Sequence, residues 1–348
     1  MSATNSHTLE IEGKSLTLTN LDKVLYPATG FTKGQVIDYY ARIAPVLVPH
    51  LSGRPLTLKR YPGGVDQEFF FEKNATKHRP DWVKTAPIWS EGNQRNVNYL
   101  LVNDLPTLVW IANLAAIELH PSLSMAKNIT SPRSMVFDLD PGPPANIIQC
   151  CQVGFWLRQI FDHFGLQSFP KTSGSKGLQI YVPLNTPTTY DITKPFAHAL
   201  ARLLETDHKE LVVSDMKKQL RVGKVFVDWS QNDEHKTTVS VYSLRARESP
   251  TVSTPVKWEE VEQAFKKRNA GLLVFEAERV IKRVEKMGDL FDSVLTLKQK
   301  LPKLPGIEEA EPQAIAAGID LAAQAEEPRR KAKAKSHRVE QRSRAKRK

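Results

Sequence analysis

The stretch MVFDLDPG, at positions 135–142, constrains the fold more than any other. Its apolar residues read as a buried strand, yet two aspartates stand inside it. Successive strand residues face opposite sides, so Asp138 and Asp140 share one face, ~7 Å apart along the chain, while Phe137 and Leu139 face the core. Two ionised carboxylates so placed repel, and one would be pushed towards protonation. A divalent cation removes the conflict, because hard cations take oxygen ligands. Pro141 and Gly142 end the strand at once, which predicts that the pair sits at a rim rather than mid-sheet. A D-x-D pair alone also fits a solvated turn or a nucleotide-sugar transferase, so further signals are needed.

The stretch KVFVDWS supplies one. Val225, Val227 and Trp229 share one face of a second apolar strand, and Phe226 and Asp228 the other. Three acids on separate strands at a common rim suit a two-metal phosphoryl-transfer site, although Asp228 also fits a strand-end acid paired with a nearby Arg or Lys. A third stretch, KTSGSKGLQIY at 171–181, places Ser173, Gly174, Ser175, Lys176 and Gly177 before a strand. Glycine lets backbone amides approach an anion, serine adds hydroxyl donors and lysine adds charge. Spacing and the following strand exclude a Walker A loop. A polar hairpin turn would look similar; beside three acids, a triphosphate cradle explains more. His120 and Arg221 are further cation candidates, with His120 also readable as a helix-end imidazole near the carbonyl dipole.

Helices are expected at 32–51, where Thr32 and Gln35 form a capping box, at 105–120 and at 145–164. Pro45 and Pro49 threaten the second half of the first. The second is apolar on nearly every face, with Pro106 in its first turn and Pro121 at its end; Gly165 closes the third. Strands are expected at 134–140, 178–184 and 224–229. Helices and strands alternate, so the class is α/β or α+β. The formal charge of +11 is concentrated: residues 329–348 carry a net +10, leaving the rest close to neutral. Residues 1–305 are therefore read as one folded domain, with its ordered part at about 8–300, and 306–348 as a disordered basic tail, transiently helical at most near 314–325. Cys150 and Cys151, adjacent, form no disulfide framework and no zinc spacing, and read as small buried helix residues. No signal peptide and no apolar run of membrane-spanning length is apparent, which predicts a cytoplasmic protein with no membrane partner.

The chain resembles the primase-polymerase domain of bacterial ligase D, within the archaeo-eukaryotic primase superfamily. The resemblance covers roughly residues 14–292 and rests on LDKVLYPATGFTK, RPLTLKRYPGGVDQEFFFEK, LHP, VFDLDPG, TSGSKGL, LVVSDMKKQLRVGKVFVDWSQN and KTTVSVYSLR, found in that order. It implies a primase-like catalytic core, a central, mostly antiparallel sheet flanked by helices. It also implies a DNA polymerase using Mn2+ or Mg2+, held by Asp138, Asp140 and Asp228. Ser173, Ser175, Lys176 and His120 would bind the incoming NTP or dNTP, with Lys59 and Arg221 close by. Such polymerases fill short gaps, act at broken ends, insert ribonucleotides readily and recognise a downstream 5′-phosphate, here through Lys23 and Lys33. Phe70 and Phe71 would pack on the template where it bends.

The residues support part of this independently. Lys33 falls at the first position of the capped helix, where free amides already favour an anion. Phe69, Phe70 and Phe71 cannot all face a core from one extended segment, so at least one is expected to be exposed, which suits base stacking. The stretch between His120 and Asp138 is shorter than the family usually carries, and no K-x-D-G ligase motif occurs. These departures favour a stand-alone gap-filling polymerase, nucleoid-associated and working with a DNA ligase and Ku in end joining, or in excision repair. A non-catalytic module that binds or bridges DNA ends is the rival; intact acids and an intact Ser-Gly-Ser-Lys loop argue against it. A D-x-D glycosyltransferase explains neither the two lysines nor the three phenylalanines.

Overall fold

A computed structural model of the chain describes residues 6–302. The acidic-to-basic segment from 306 onward, expected to be disordered, lies outside the described residues. Two five-stranded sheets organise the rest. The first runs Phe169–Thr172, Leu178–Pro183, Ser134–Pro141, Val225–Asp228, Val212–Val213, antiparallel except for its last pair. The second runs Phe70–Glu72, Leu56–Arg60, Arg95–Leu100, Thr85–Ser90, with Ala116–Pro121 also paired to Leu56–Arg60. Helices Ile147–His163 and Tyr190–Asp207 pack on the first sheet; helix Lys33–Leu51 packs against Leu105–Asn113 and Ala277–Met287. Leu58, Leu119, Phe137, Ile180 and Val227 belong to one buried apolar cluster that runs through both sheets. The mixed α/β class is as expected, with two sheets in place of one.

The helix at 33–51 begins as read. Thr32 Oγ1 accepts from the Gln35 amide at 3.3 Å, and the Gln35 side chain accepts from the Thr32 amide at 2.8 Å. Pro45 and Pro49 do not end it. They lie four residues apart on its exposed side, where water can satisfy the carbonyls that their missing N–H groups leave unpaired. The third helix, Ile147–His163, is capped by Asn146 and followed by Gly165 at φ 68°. Cys150 and Cys151 are fully buried on it.

The expected helix at 105–120 is corrected. It stops at Asn113; Ala115 adopts φ 57° and a strand follows, Ala116–Pro121. An apolar run on every face carries no period to distinguish helix from strand. Pairing decides it, since Thr57 lies opposite His120 and Lys59 opposite Glu118 in the antiparallel ladder. His120 is therefore a strand residue, not a helix-end imidazole. The rim placement holds for Asp140, which lies past the start of Leu178–Pro183 and one residue from the strand's end, and is corrected for Asp138, which is paired on both sides, with Gln179 and with Asp228, in the middle strand of its sheet.

Candidate active site

The acids lie as the alternation requires. Phe137 and Leu139 are fully buried, and Asp138 and Asp140 are partly open on the other face. Burial first, and then the charges of Asp140 and Asp228, push the Asp138 carboxyl up to about 7. Asp140 is also raised, by burial and then by Asp228, against the pull of Lys176, Arg221 and Arg245. Asp228 stands directly opposite Asp138 in the ladder. Its carboxylate is already engaged: Oδ1 accepts from Ser230 N at 3.0 Å and Ser230 Oγ at 2.6 Å, and Oδ2 from Gln231 Nε2 at 2.8 Å.

The loop 173–177 joins two antiparallel strands, so the hairpin and cradle readings coincide. Ser173 Oγ accepts the amides of Ser175 at 3.2 Å and Gly177 at 3.0 Å, drawing the loop tight. Two glycines are sterically required. A Cβ on Gly174, at φ 67°, would lie 2.5 Å from Val252 C, and one on Gly177 would lie 2.3 Å from Leu139 O. The second contact presses the loop onto the acid strand between its two aspartates. Lys176 Nζ donates to Pro141 O at 3.3 Å.

An open cleft of about 270 Å3 is lined by His120, Asp138, Asp140, Ser173, Ser175 and Lys176, and also by Gln179, Gln231, Thr238 and Arg245. Sequence reading missed Arg245 and Glu118. Arg245 Nη1 donates to Ser173 O at 2.5 Å and its Nε lies 3.3 Å from Glu118 Oε1. Glu118 Oε2 lies 3.0 Å from His120 Nε2. Burial opposes its ionisation, but the His120 hydrogen bond and the charges of Arg245, His120 and Lys59 bring it down to about 2. The signal was present: Glu118 and His120 are spaced i, i+2 in an apolar run, as the two aspartates are.

The other expected residues fall outside this cleft. Lys59 Nζ sits 4.0 Å from the Phe69 ring centre and 5.8 Å from that of Phe71. Arg221 stacks 3.7 Å over Phe226 and acts on Asp140 through its charge. Phe69, Phe70 and Phe71 are all about half exposed. Phe71 lies 6.4 Å from His120 and 5.8 Å from Phe69, whereas Phe70 lies under Arg60 at 5.0 Å. Phe70 and Phe71 thus face opposite sides of their strand. Lys33 starts its helix as read, but its ammonium is buried, donating to Thr19 O at 2.6 Å. Burial, then the charges of Lys23 and Arg60, bring it down to about 8; Arg60 is itself paired with Glu72.

A family model described as LigD, primase-polymerase domain, matches residues 32–291. The chain belongs to the LigD primase-polymerase domain family. The multifunctional non-homologous end joining protein LigD of Mycolicibacterium smegmatis is 42% identical over 275 residues, 78% of this chain and 35% of that protein. The bifunctional LigD of Bacillus subtilis is 32% identical over 274 residues, 78% of this chain and 43% of that one. The chain thus spans less than half the length of the curated relatives it matches. A solved polymerase domain from Mycobacterium tuberculosis ligase D, in complex with DNA, superposes with a TM-score of 0.75 at 39% identity, covering 82% of this chain and 99% of that one. The LigD polymerase-domain fold is therefore shared, and no described helix is long and apolar enough to cross a membrane.

The donor set fits a hard divalent cation. Asp138 and Asp140 offer carboxylate oxygens whose mutual repulsion and burial oppose ionisation without a counter-charge. As they stand, no three His, Cys, Asp or Glu side chains among the described residues are gathered to hold a metal ion, because Asp228 is turned to Ser230 and Gln231.

Proposed function

We propose that this chain is a template-directed DNA repair polymerase that fills short gaps and acts at broken ends. The observation that carries the reading is the cleft itself. It sets two aspartates against a serine–lysine loop, with a histidine and an arginine on the same walls. Such a set binds a triphosphate and places its α-phosphate beside the acids. Ser173, Ser175, Lys176, His120 and Arg245 hold the phosphates, with Lys59 and Arg221 adding charge from the sides. Asp138 and Asp140, with Asp228 opposite, would hold Mn2+ or Mg2+. When bound, the cation would supply charge neutralisation on the phosphates and an acidified 3′-hydroxyl. The primer hydroxyl displaces pyrophosphate from the α-phosphate in line.

Lys23 and Lys33 receive the downstream 5′-phosphate, a role supported by their adjacency at the start of the capped helix, where the Lys33 amide donates to Lys23 O at 2.8 Å. Exposed Phe70 and Phe71 flank the path of the template. Ribonucleotide insertion and work with Ku and a ligase in end joining follow from the family and belong to the proposal. The test is primer extension on gapped DNA with and without the 5′-phosphate, in manganese. Extension stimulated by the phosphate is expected. Binding of gapped DNA without any insertion would favour the non-catalytic end-binding module instead.

A further inference from the structure

Glu118 lies behind the cleft rather than on its walls, with 3% of its surface exposed. Its carboxylate collects contacts from three segments. Oε2 is 3.0 Å from His120 Nε2 on its own strand. Oε1 is 3.3 Å from Arg245 Nε and 4.0 Å from Lys59 Nζ, and accepts the Ala246 amide at 3.1 Å. Arg245 continues to the Ser173 carbonyl, so the chain of contacts reaches the serine–lysine loop. A buried negative charge behind a polyanion site costs affinity by simple Coulomb repulsion. Its presence needs a compensating benefit. Without it, Lys59 and Arg245 would be like charges in a partly desolvated place with no counter-charge, and they would move apart or lose a proton.

We propose that Glu118 is a positioning residue that assembles Lys59 and Arg245 into one fixed cation set for the triphosphate of the incoming nucleotide and fixes the orientation of the His120 ring beside them. The proposal rests on the cleft being a nucleotide site. It trades part of the site's positive charge for preorganised geometry, which lowers the cost of ordering long side chains on binding. The electrostatics agree. Burial pulls the Lys59 ammonium below its ordinary value, Glu118 opposes this and Arg245 adds to it. His120 is lowered by burial, with Glu118 again opposing and Arg245 and Lys59 adding. In the neutral ring, a proton on Nε2 is held by Glu118, which leaves Nδ1 bare.

The test uses inorganic tripolyphosphate as probe and the full chain, as wild type and as Glu118→Gln, by equilibrium binding from pH 7 to 9. The variant is expected to bind about tenfold more weakly at pH 7, as charge-assisted contacts lose alignment. The ratio to wild type should widen towards pH 9. Among the groups facing Lys59 (Glu118, Arg245, Tyr61, His120 and the rings of Phe69 and Phe71), Glu118 is the only carboxylate, and the rings favour the ammonium more weakly. Equal or tighter binding with a constant ratio overturns the proposal, and so does a smaller number of binding sites at unchanged affinity, the mark of a purely structural role. Failure of the wild type to bind tripolyphosphate overturns the nucleotide-site reading along with it, and is thereby distinguished. Should Glu118→Gln fail to fold, long-range 1H–15N spectra of wild-type His120 decide. The Nε2-protonated tautomer is expected, and the Nδ1-protonated one overturns the proposal.

Discussion

Replacing Gly177 by alanine would set a methyl group between the serine–lysine loop and the acid strand. The added Cβ would stand 2.3 Å from Leu139 O and 3.6 Å from Asp140 Oδ1. Ordinary C···O contacts lie at about 3.3 Å or more, so loop and strand must part by roughly 1 Å. The neighbour is backbone in a central strand and cannot swing aside as a side chain would. The loop moves as a unit, because the Gly177 amide donates to Ser173 Oγ and its carbonyl accepts the Ser173 amide. Gly177 is not in the left-handed region, so the effect is steric and not a matter of backbone strain. A misplacement of about 1 Å between a substrate-holding group and the reacting centre costs on the order of 10²-fold in rate. Overpacking of this kind costs about 1–3 kcal/mol of stability. Single-turnover nucleotide insertion on gapped DNA reads the first effect, and thermal melting the second. Affinity for gapped DNA should stay within a few-fold, since Lys23, Lys33 and the phenylalanines are elsewhere. A variant that melts lower yet inserts nucleotides at the wild-type rate would refute the idea that loop and acid strand must be held in register.

Asp138→Ala, Asp140→Ala and Asp228→Ala should each abolish extension while leaving DNA affinity within a few-fold, because phosphate contacts supply most of that affinity; extension and binding assays on one gapped substrate check both. Lys23→Ala with Lys33→Ala should remove the preference for a 5′-phosphate, at about 1–3 kcal/mol per lost charge-assisted contact. In the wild type that preference should fade as pH rises through the value of about 8 to which burial brings Lys33, since the lysine then sheds its charge; titrating binding to phosphorylated and hydroxyl ends measures it. Phe71→Ala should weaken nucleotide insertion and Phe70→Ala template placement, each by ~1–3 kcal/mol, because the rings face opposite sides; steady-state insertion kinetics and gapped-DNA binding separate the two. Ending the chain after Pro305 removes the run of net +10 and should flatten the salt dependence of non-specific DNA binding, with phosphate discrimination unchanged; a salt series with both end types decides.

What was legible in the sequence was legible where a single local rule dominates. The capping box at Thr32, the alternation through Asp138 and Asp140, and the glycine after His163 each fix a few residues by short-range geometry, and all three are found as read. The 105–120 run misled for the opposite reason. Nearly every face is apolar, so periodicity falls silent and only pairing with Leu56–Arg60 chooses the strand. That misreading hid Glu118, whose i, i+2 relation to His120 exists only in a strand. Arg245 stood in a recognised stretch, but nothing local tells that it reaches back to Ser173, 72 residues earlier. The opposite facing of Phe70 and Phe71 follows from alternation alone and could have been stated beforehand.

Leu56–Arg60 is the element through which these pieces meet. It is hydrogen-bonded to the phenylalanine strand on one side and to the Glu118–His120 strand on the other. Its last two residues point to opposite faces. Lys59 looks towards Glu118, Phe69 and Phe71, on the side of the nucleotide cleft. Arg60 carries Phe70, bonds Glu72 at 2.5 Å, and adds its charge to the cluster of Lys23 and Lys33. Two adjacent residues of one rigid strand therefore serve both proposed phosphate sites. Neither cation can shift along the strand without carrying the other, since the ladder fixes both. On the proposed reading, the strand thereby links the nucleotide cleft to the cations that meet the downstream 5′-phosphate.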